Sequence, residues 1–123
     1  YSVDESKISL TGFSMGGEGT IRYGALHHQR FSALAPMAGS AIAIKADAPK
    51  LAKLKIWMFQ GAKDKLSTSE LGQKMSTWVK EAGGDIKYTE FENIAHNIPK
   101  KALTFEGMLN WLITQQKQIY SSK

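Results

Sequence analysis

The stretch that decides the fold is "LTGFSMGGEGT", residues 10–20. A strand-like run, Ile8-Ser9-Leu10, precedes it and a helix-like run follows, so a sharp turn at Ser14 is predicted. Gly12 and Gly16 flank Ser14 in a Gly-x-Ser-x-Gly pattern, which is typical of a turn that exposes a nucleophilic serine at a helix N-terminus. We expect both glycines because strand and helix approach too closely there for a side chain. The alternative is a polar serine in a glycine-rich loop.

Two phosphate-binding patterns fail at this stretch. A dinucleotide-binding Gly-x-Gly-x-x-Gly would need glycine where Ser14 stands, and the sequence has no Gly-Lys-Ser/Thr of a nucleotide-binding loop. Ser14 is therefore interpreted as a candidate nucleophile.

Strand-like and helix-like segments alternate along the whole chain. The predicted strands are Lys7–Thr11, Phe31–Ala38, Lys55–Gln60 and Ile86–Glu92. The predicted helices are Met15–His28, a short one near Pro49–Lys53, one that starts with capping-box spacing at Ser67 and Glu70 and ends at Gly83-Gly84, and Lys101–Lys117. The residues predicted to face inward on the last two long helices are Leu71, Met75, Trp78 and Val79, then Phe105, Met108, Leu109 and Leu112. This order predicts a single α/β domain over residues 1–123, with about four parallel strands and helices on both faces.

The composition excludes several classes. The chain has no cysteine, no apolar run long enough to span a membrane, and a net charge of +5 from scattered lysines. Scattered lysines favour a solvated face over a nucleic-acid site. His27 and His28 lie in the predicted last turn of a helix and are interpreted as terminal residues, not metal ligands. A chain without cysteine is compatible with a cytoplasmic or a secreted protein.

Reactive residues follow three of the four predicted strands. Ser14 follows the first, Asp64 follows the third in "GAKD", and His96 follows the fourth in "ENIAHN". The carboxyl ends of parallel strands form one edge, where ligands bind in such sheets. Serine needs a base to take its proton, histidine suits that task near neutral pH, and a carboxylate orients the imidazole. We therefore predict a Ser-Asp-His triad, with the backbone N–H of Met15 as an oxyanion donor.

Structural interpretations of the same residues stay open. Asp64 could cap a loop, although Asp47 and Asp85 are placed less well for a catalytic role. His96 could be structural, but it is the only histidine outside the His27–His28 pair.

"YSVDESKISLTGFSMGGEGT", "WMFQGAKD" and "EAGGDIKYTEFENIAHN" together resemble the C-terminal half of phospholipase/carboxylesterase-like α/β-hydrolases. The nearest group is the dienelactone-hydrolase and polyhydroxybutyrate-depolymerase type. The resemblance implies Ser14, Asp64 and His96 as the triad. It also implies hydrolysis of carboxylic esters, small or polymer-attached, without a cofactor or metal.

The resemblance also implies features that the sequence lacks. Such hydrolases usually have about four further N-terminal strands and an HGGG-type loop that supplies a second oxyanion donor. Without those strands Lys7–Thr11 would be an open edge, so we expect a second copy of the chain or a preceding segment to cover it. Gly39–Lys53 is too short for a lid, which predicts an open site. The alternative function is a non-catalytic hydrolase remnant that acts as a binding or interaction module.

Overall fold

The computed structural model of the protein describes residues 3–40 and 44–117. Its centre is a four-stranded, all-parallel sheet in the spatial order β1-β2-β3-β4. The strands are β1 (Ser9–Phe13), β2 (Ala33–Met37), β3 (Lys55–Gly61) and β4 (Asp85–Phe91). The predicted number of strands, their order along the chain and their parallel direction are confirmed, and each strand boundary lies within two residues of its prediction.

Five α-helices accompany the sheet in the part of the chain that the structure describes. They are α1 (Met15–Leu26), α2 (Ala48–Leu51), α3 (Ser69–Glu81), α4 (Pro99–Leu103) and α5 (Met108–Thr114). The predicted continuous helix Lys101–Lys117 is wrong, because Gly107 has φ 80° between α4 and α5. A left-handed residue breaks the helical path, and glycine adopts that conformation without a steric penalty.

The two faces of the sheet carry separate hydrophobic cores. On one face Leu34 and Ile56 pack with residues of α1, α2 and α3. On the other face Ala35 and Phe59 pack with residues of α4 and α5. Successive strand residues point to opposite faces, so strands this apolar must be covered on both. The prediction of helices on both faces is confirmed.

The prediction of which residues of the last two long helices face inward is confirmed in part. Met75 and Val79 are buried in the first core, while Leu71 and Trp78 are only half-buried. On α5 Met108 is buried, as predicted. The inward prediction is wrong for Leu109, which is 49% exposed, because α5 turns the face that carries Met108 and Leu112 to the second core and Leu109 lies beside that face. Leu112 is buried as predicted, and Phe105 is partly exposed although its ring touches those of Trp57, Phe59 and Phe91.

Strand β1 lies at one edge of the sheet and, among the described strands, pairs only with β2. Ile8 and Leu10 are half-buried against the first core, and Phe13 against the second. The expectation that another chain segment covers this edge stays a prediction. No helix among the described residues is long and apolar enough to cross a membrane.

Candidate active site

Ser14 occupies a strained turn between β1 and α1. Its backbone has φ 56° and ψ −115°, a conformation that costs a non-glycine residue about 1–3 kcal/mol. The Ser14 N–H donates to the carbonyl of Met37 at the end of β2, 2.9 Å away. This bond fixes the turn to the neighbouring strand, so the serine is presented at the carboxyl edge of the sheet.

Glycines allow the turn to be this tight. A Cβ at Gly12 would lie 2.2 Å from the carbonyl oxygen of Gly16, so Gly12 has no room for a side chain, as predicted. The prediction for Gly16 is wrong, since a Cβ there would meet nothing within 4 Å. The second crowded position is Gly17, whose Cβ would lie 2.6 Å from the carbonyl oxygen of Met37. Helix α1 therefore approaches β2 at Gly17, the residue that follows the second glycine of the Gly-x-Ser-x-Gly motif.

His96 reaches Ser14 across the width of the sheet. Strands β1 and β4 are three interstrand spacings apart, about 14 Å. The segment after β4 must therefore cross back over the end of β3. It lies directly on that end, because a Cβ at Gly61 would be 1.9 Å from the carbonyl oxygen of Ala95. The Lys63 N–H donates to the carbonyl of Ile94 at 3.0 Å, and this bond holds the segment after β4 against the end of β3.

The structure brings the three predicted residues together. The distance from Ser14 Oγ to His96 Nε2 is 2.7 Å, and the distance from His96 Nδ1 to Asp64 Oδ2 is 2.6 Å. An ionised carboxylate can only accept hydrogen bonds, so Nδ1 carries the ring proton in the neutral imidazole and Nε2 is left to accept one from the serine hydroxyl. The ring of Phe13 lies 5.1 Å from the imidazole, centroid to centroid, and packs against it.

Asp64 is buried, and both of its carboxylate oxygens accept hydrogen bonds. Its Oδ1 accepts from the N–H groups of Leu66 at 2.8 Å and Ser67 at 2.9 Å. Its Oδ2 accepts from His96 and from Nε2 of Gln60, the latter at 3.3 Å. A buried carboxylate requires such compensation for lost hydration. These donors hold the side chain in one orientation toward the histidine.

Sequence reasoning missed the buried polar residues behind Asp64, namely Ser40, Gln60 and Ser67. The signal for Gln60 was present, because it is a polar residue at the end of an apolar strand that is buried on both faces. Ser67 was predicted to cap α3, and this is wrong. The cap is Thr68, whose side chain accepts from the Leu71 N–H, while Ser67 is directed to Asp64 and the residues behind it.

Within residues 3–40 and 44–117, no group of three or more histidine, aspartate and glutamate side chains could hold a metal ion. His27 instead stacks on Tyr23, with ring centroids 4.4 Å apart. Burial and the nearby charges of Lys53 and Lys50 lower the pKa of His28. Neither histidine lies in the site around Ser14.

The fold is that of the α/β-hydrolases. A thermostable esterase aligns with a TM-score of 0.81 and 24% identity, covering 95% of this chain and 33% of that one. SOBER1 of Arabidopsis thaliana aligns with a TM-score of 0.76 and 21% identity, covering 89% and 53%. The acylaminoacyl peptidase of Pyrococcus horikoshii aligns with a TM-score of 0.74 and 13% identity, covering 98% and 26%. The chain thus spans between about a quarter and about half of these structures.

The family model of the dienelactone hydrolases matches residues 1–103. The chain therefore belongs to the dienelactone hydrolase family. That family lies within the hydrolase group that the sequence resembles. A comparison with curated proteins gave no match.

Proposed function

We propose that the protein is a lidless serine hydrolase that cleaves carboxylic esters through Ser14, His96 and Asp64. The observation that carries the proposal is the continuous pair of short hydrogen bonds from Ser14 Oγ through His96 to Asp64. Family membership and the esterase-like fold support ester hydrolysis as the reaction class.

The geometry suits a two-step acyl transfer. Ser14 Oγ attacks the ester carbonyl carbon while His96 Nε2 takes the hydroxyl proton. The tetrahedral intermediate collapses, the bond to the alcohol oxygen breaks, and His96 gives the proton to the leaving alcohol. A water molecule then attacks the acyl-serine with His96 as base again, and the acid leaves while the proton returns to Ser14. Asp64 stabilises the imidazolium in both steps, because its charge lies 2.6 Å from Nδ1.

The oxyanion of the tetrahedral intermediate needs hydrogen-bond donors close to the turn at Ser14. Met15 is the first residue of α1, and the first four N–H groups of a helix have no intrahelical acceptor. We therefore assign the Met15 N–H as one donor to the developing oxyanion. One missing donor typically costs about 10²–10³ in rate, so the source of a second donor sets the scale of the activity.

Exposed apolar side chains support an open site for ester substrates. Met15, beside Ser14, is 82% exposed, and Leu66, two residues after Asp64, is 73% exposed. The connection from Gly39 to Lys53 was predicted to be too short for a lid. Its residues 41–43 lie outside the described residues. The described part contains a short helical turn at Lys45–Asp47 and the helix α2. We propose a small-molecule or a polymer-attached ester as the substrate of this site.

The test is hydrolysis of p-nitrophenyl acetate and butyrate by the chain and by Ser14→Ala. Loss of the nucleophile should lower kcat by about 10⁴-fold or more. Ser69→Ala, which changes a serine at the start of α3, is the matched control and should keep the full rate. A fluorophosphonate should label the wild-type chain and the control but not Ser14→Ala. Equal rates in wild type and Ser14→Ala would instead support the non-catalytic remnant.

A further inference from the structure

A buried cluster of uncharged polar side chains lies behind Asp64. It consists of Ser40 in the segment after β2, Gln60 near the end of β3, and Ser67 in the loop before α3. Ser40 and Gln60 have no exposed surface and Ser67 has 1%. Burying polar groups is costly unless each is hydrogen-bonded, so a cluster of this kind needs an explanation.

The orientation of the Gln60 amide follows from its neighbours. On one side it faces the Asp64 carboxylate and the backbone carbonyl of Ser67, both of which can only accept. The amide nitrogen must point to that side, since an amide oxygen there would meet two other acceptors. On the opposite side the hydroxyls of Ser40 and Ser67 lie 3.4 and 3.5 Å from Oε1 and can donate to it.

The two serines are themselves held in place. The Ser40 N–H donates to Ser67 Oγ at 2.8 Å, and the two hydroxyl oxygens are 2.7 Å apart. The Ser40 hydroxyl also lies 3.2 Å from the carbonyl of Thr68. The amide of Gln60 is therefore fixed from behind, with its donor directed at the carboxylate.

We propose that Gln60 is a positioning residue for the triad, an inference that rests on the proposed function. Its Nε2–H group donates to Asp64 Oδ2, the oxygen that also accepts from His96 Nδ1. Two backbone N–H groups already hold Oδ1, so Gln60 supplies the remaining donor that aims Oδ2 at the imidazole. Because the donor is neutral, it also moderates the carboxylate charge that His96 experiences without adding a charge of its own.

The test uses two substitutions at one position. Gln60→Met keeps the length and removes the donor, so the Asp64 charge near His96 is no longer moderated and the imidazolium is favoured. Gln60→Glu is isosteric, and because two buried carboxyl groups about 3 Å apart cannot both ionise, the pair keeps one proton and the introduced carboxyl can donate to Asp64 Oδ2 as the amide does. The pH midpoint at which kcat/KM for p-nitrophenyl acetate rises should therefore move to higher pH in Gln60→Met and stay close to the wild-type value in Gln60→Glu. The concentration of active sites is measured by titration with a fluorophosphonate. The kcat calculated from that concentration should fall by about 10- to 100-fold in Gln60→Met.

The matched control is Gln73, a glutamine whose Nε2 donates to the carboxylate of Glu90 at 3.1 Å, away from the site. Gln73→Met and Gln73→Glu should leave the midpoint unchanged. A role in stability alone would lower the melting temperature in the Gln60 variants without moving the midpoint. Gln60→Leu also lacks a donor and covers the case in which Gln60→Met does not fold.

A readout independent of activity separates this inference from the proposed function. The ring C–H resonances of His96, assigned by their loss in His96→Gln, are titrated by NMR in each variant, with those of His27 and His28 as internal references. A higher His96 midpoint in Gln60→Met, restored toward the wild-type value in Gln60→Glu, supports the positioning role even if wild type hydrolyses no ester, in which case only the proposed function fails. An unchanged midpoint in Gln60→Met overturns the positioning role, whatever the activity.

Discussion

Asp64→Asn isolates the orientation of the imidazole from the other contributions of the site. Two backbone N–H groups, from Leu66 and Ser67, donate to Oδ1 at 2.8 and 2.9 Å. The carbonyl oxygen of the introduced amide must take that place, because the amide nitrogen has no lone pair to accept these bonds. The nitrogen then occupies the position of Oδ2, which is 2.6 Å from His96 Nδ1.

A donor at that position reverses the proton on the ring. Nδ1 must accept from the amide, so the ring proton moves to Nε2, which can no longer take the proton of Ser14. The expected loss in kcat is about 10⁴-fold, or about 5 kcal/mol of transition-state stabilisation at 1.36 kcal/mol per tenfold. Loss of a single hydrogen bond to a charged group would cost only about 10- to 100-fold. The magnitude therefore distinguishes a wrong tautomer from a weakened contact.

The assay is hydrolysis of p-nitrophenyl acetate at pH 8, with the melting temperature measured alongside. Asp85→Asn, at the exposed start of β4, makes the same change of charge away from the site and should keep the wild-type rate. A loss of about 100-fold or less in a folded Asp64→Asn protein would refute the tautomer argument, because the loss of one hydrogen bond accounts for an effect of that size.

Three further outcomes are expected. Gly12→Ala should cost about 1–3 kcal/mol of stability in urea denaturation, because its Cβ would lie 2.2 Å from the carbonyl oxygen of Gly16. Gly19→Ala, in α1 with nothing within 4 Å, should instead stabilise by about 1 kcal/mol, and equal effects would contradict the packing argument. Burial, and next the hydrogen bond to Glu90, raise the pKa of Tyr88, so its contribution to stability is complete below the unfolded value of 10.0 and is lost as the pH rises above it; Tyr88→Phe should flatten the fall in melting temperature above pH 10, and an unchanged slope would show that this group does not cause it. Light scattering on the 123-residue chain should detect association through the β1 edge at micromolar concentration, and a stable monomer there would count against it.

The fold could be predicted because its signals are local. Apolar runs without polar alternation mark strands buried on both faces, and the helical spacing of Met75 and Val79 marks the inner face of α3. The ends of elements were less predictable where tertiary contacts decide them. Ser67 and Thr68 are adjacent candidates for the cap of α3. The Ser67 N–H donates to buried Asp64 and the Ser67 hydroxyl contacts that of Ser40, while the side chain of Thr68 caps the helix.

The residues of the candidate site could be predicted from the sequence, but the way in which they meet could not. Chain order and strand ends placed Ser14, Asp64 and His96 on one edge of the sheet. The return of His96 from β4 to β1 depends on a backbone contact between Ala95 and Gly61, and no pattern in the sequence encodes that crossing. Gln60 was missed for a related reason, since a single polar residue in an apolar run has a meaning only once its neighbours are known.

The crossing over β3 has a consequence for how the protein acquires its proposed activity. Ser14 and His96 are separated by 82 residues, and Asp64 and His96 by 32, so the site contains some of the most distant contacts in the sequence. Contacts of long range form late, because the entropy of closing a long loop must be overcome first. During refolding from urea, reactivity of Ser14 toward a fluorophosphonate should thus lag behind the far-ultraviolet signal of the helices. A covalent probe of one serine would then time the completion of the entire sheet.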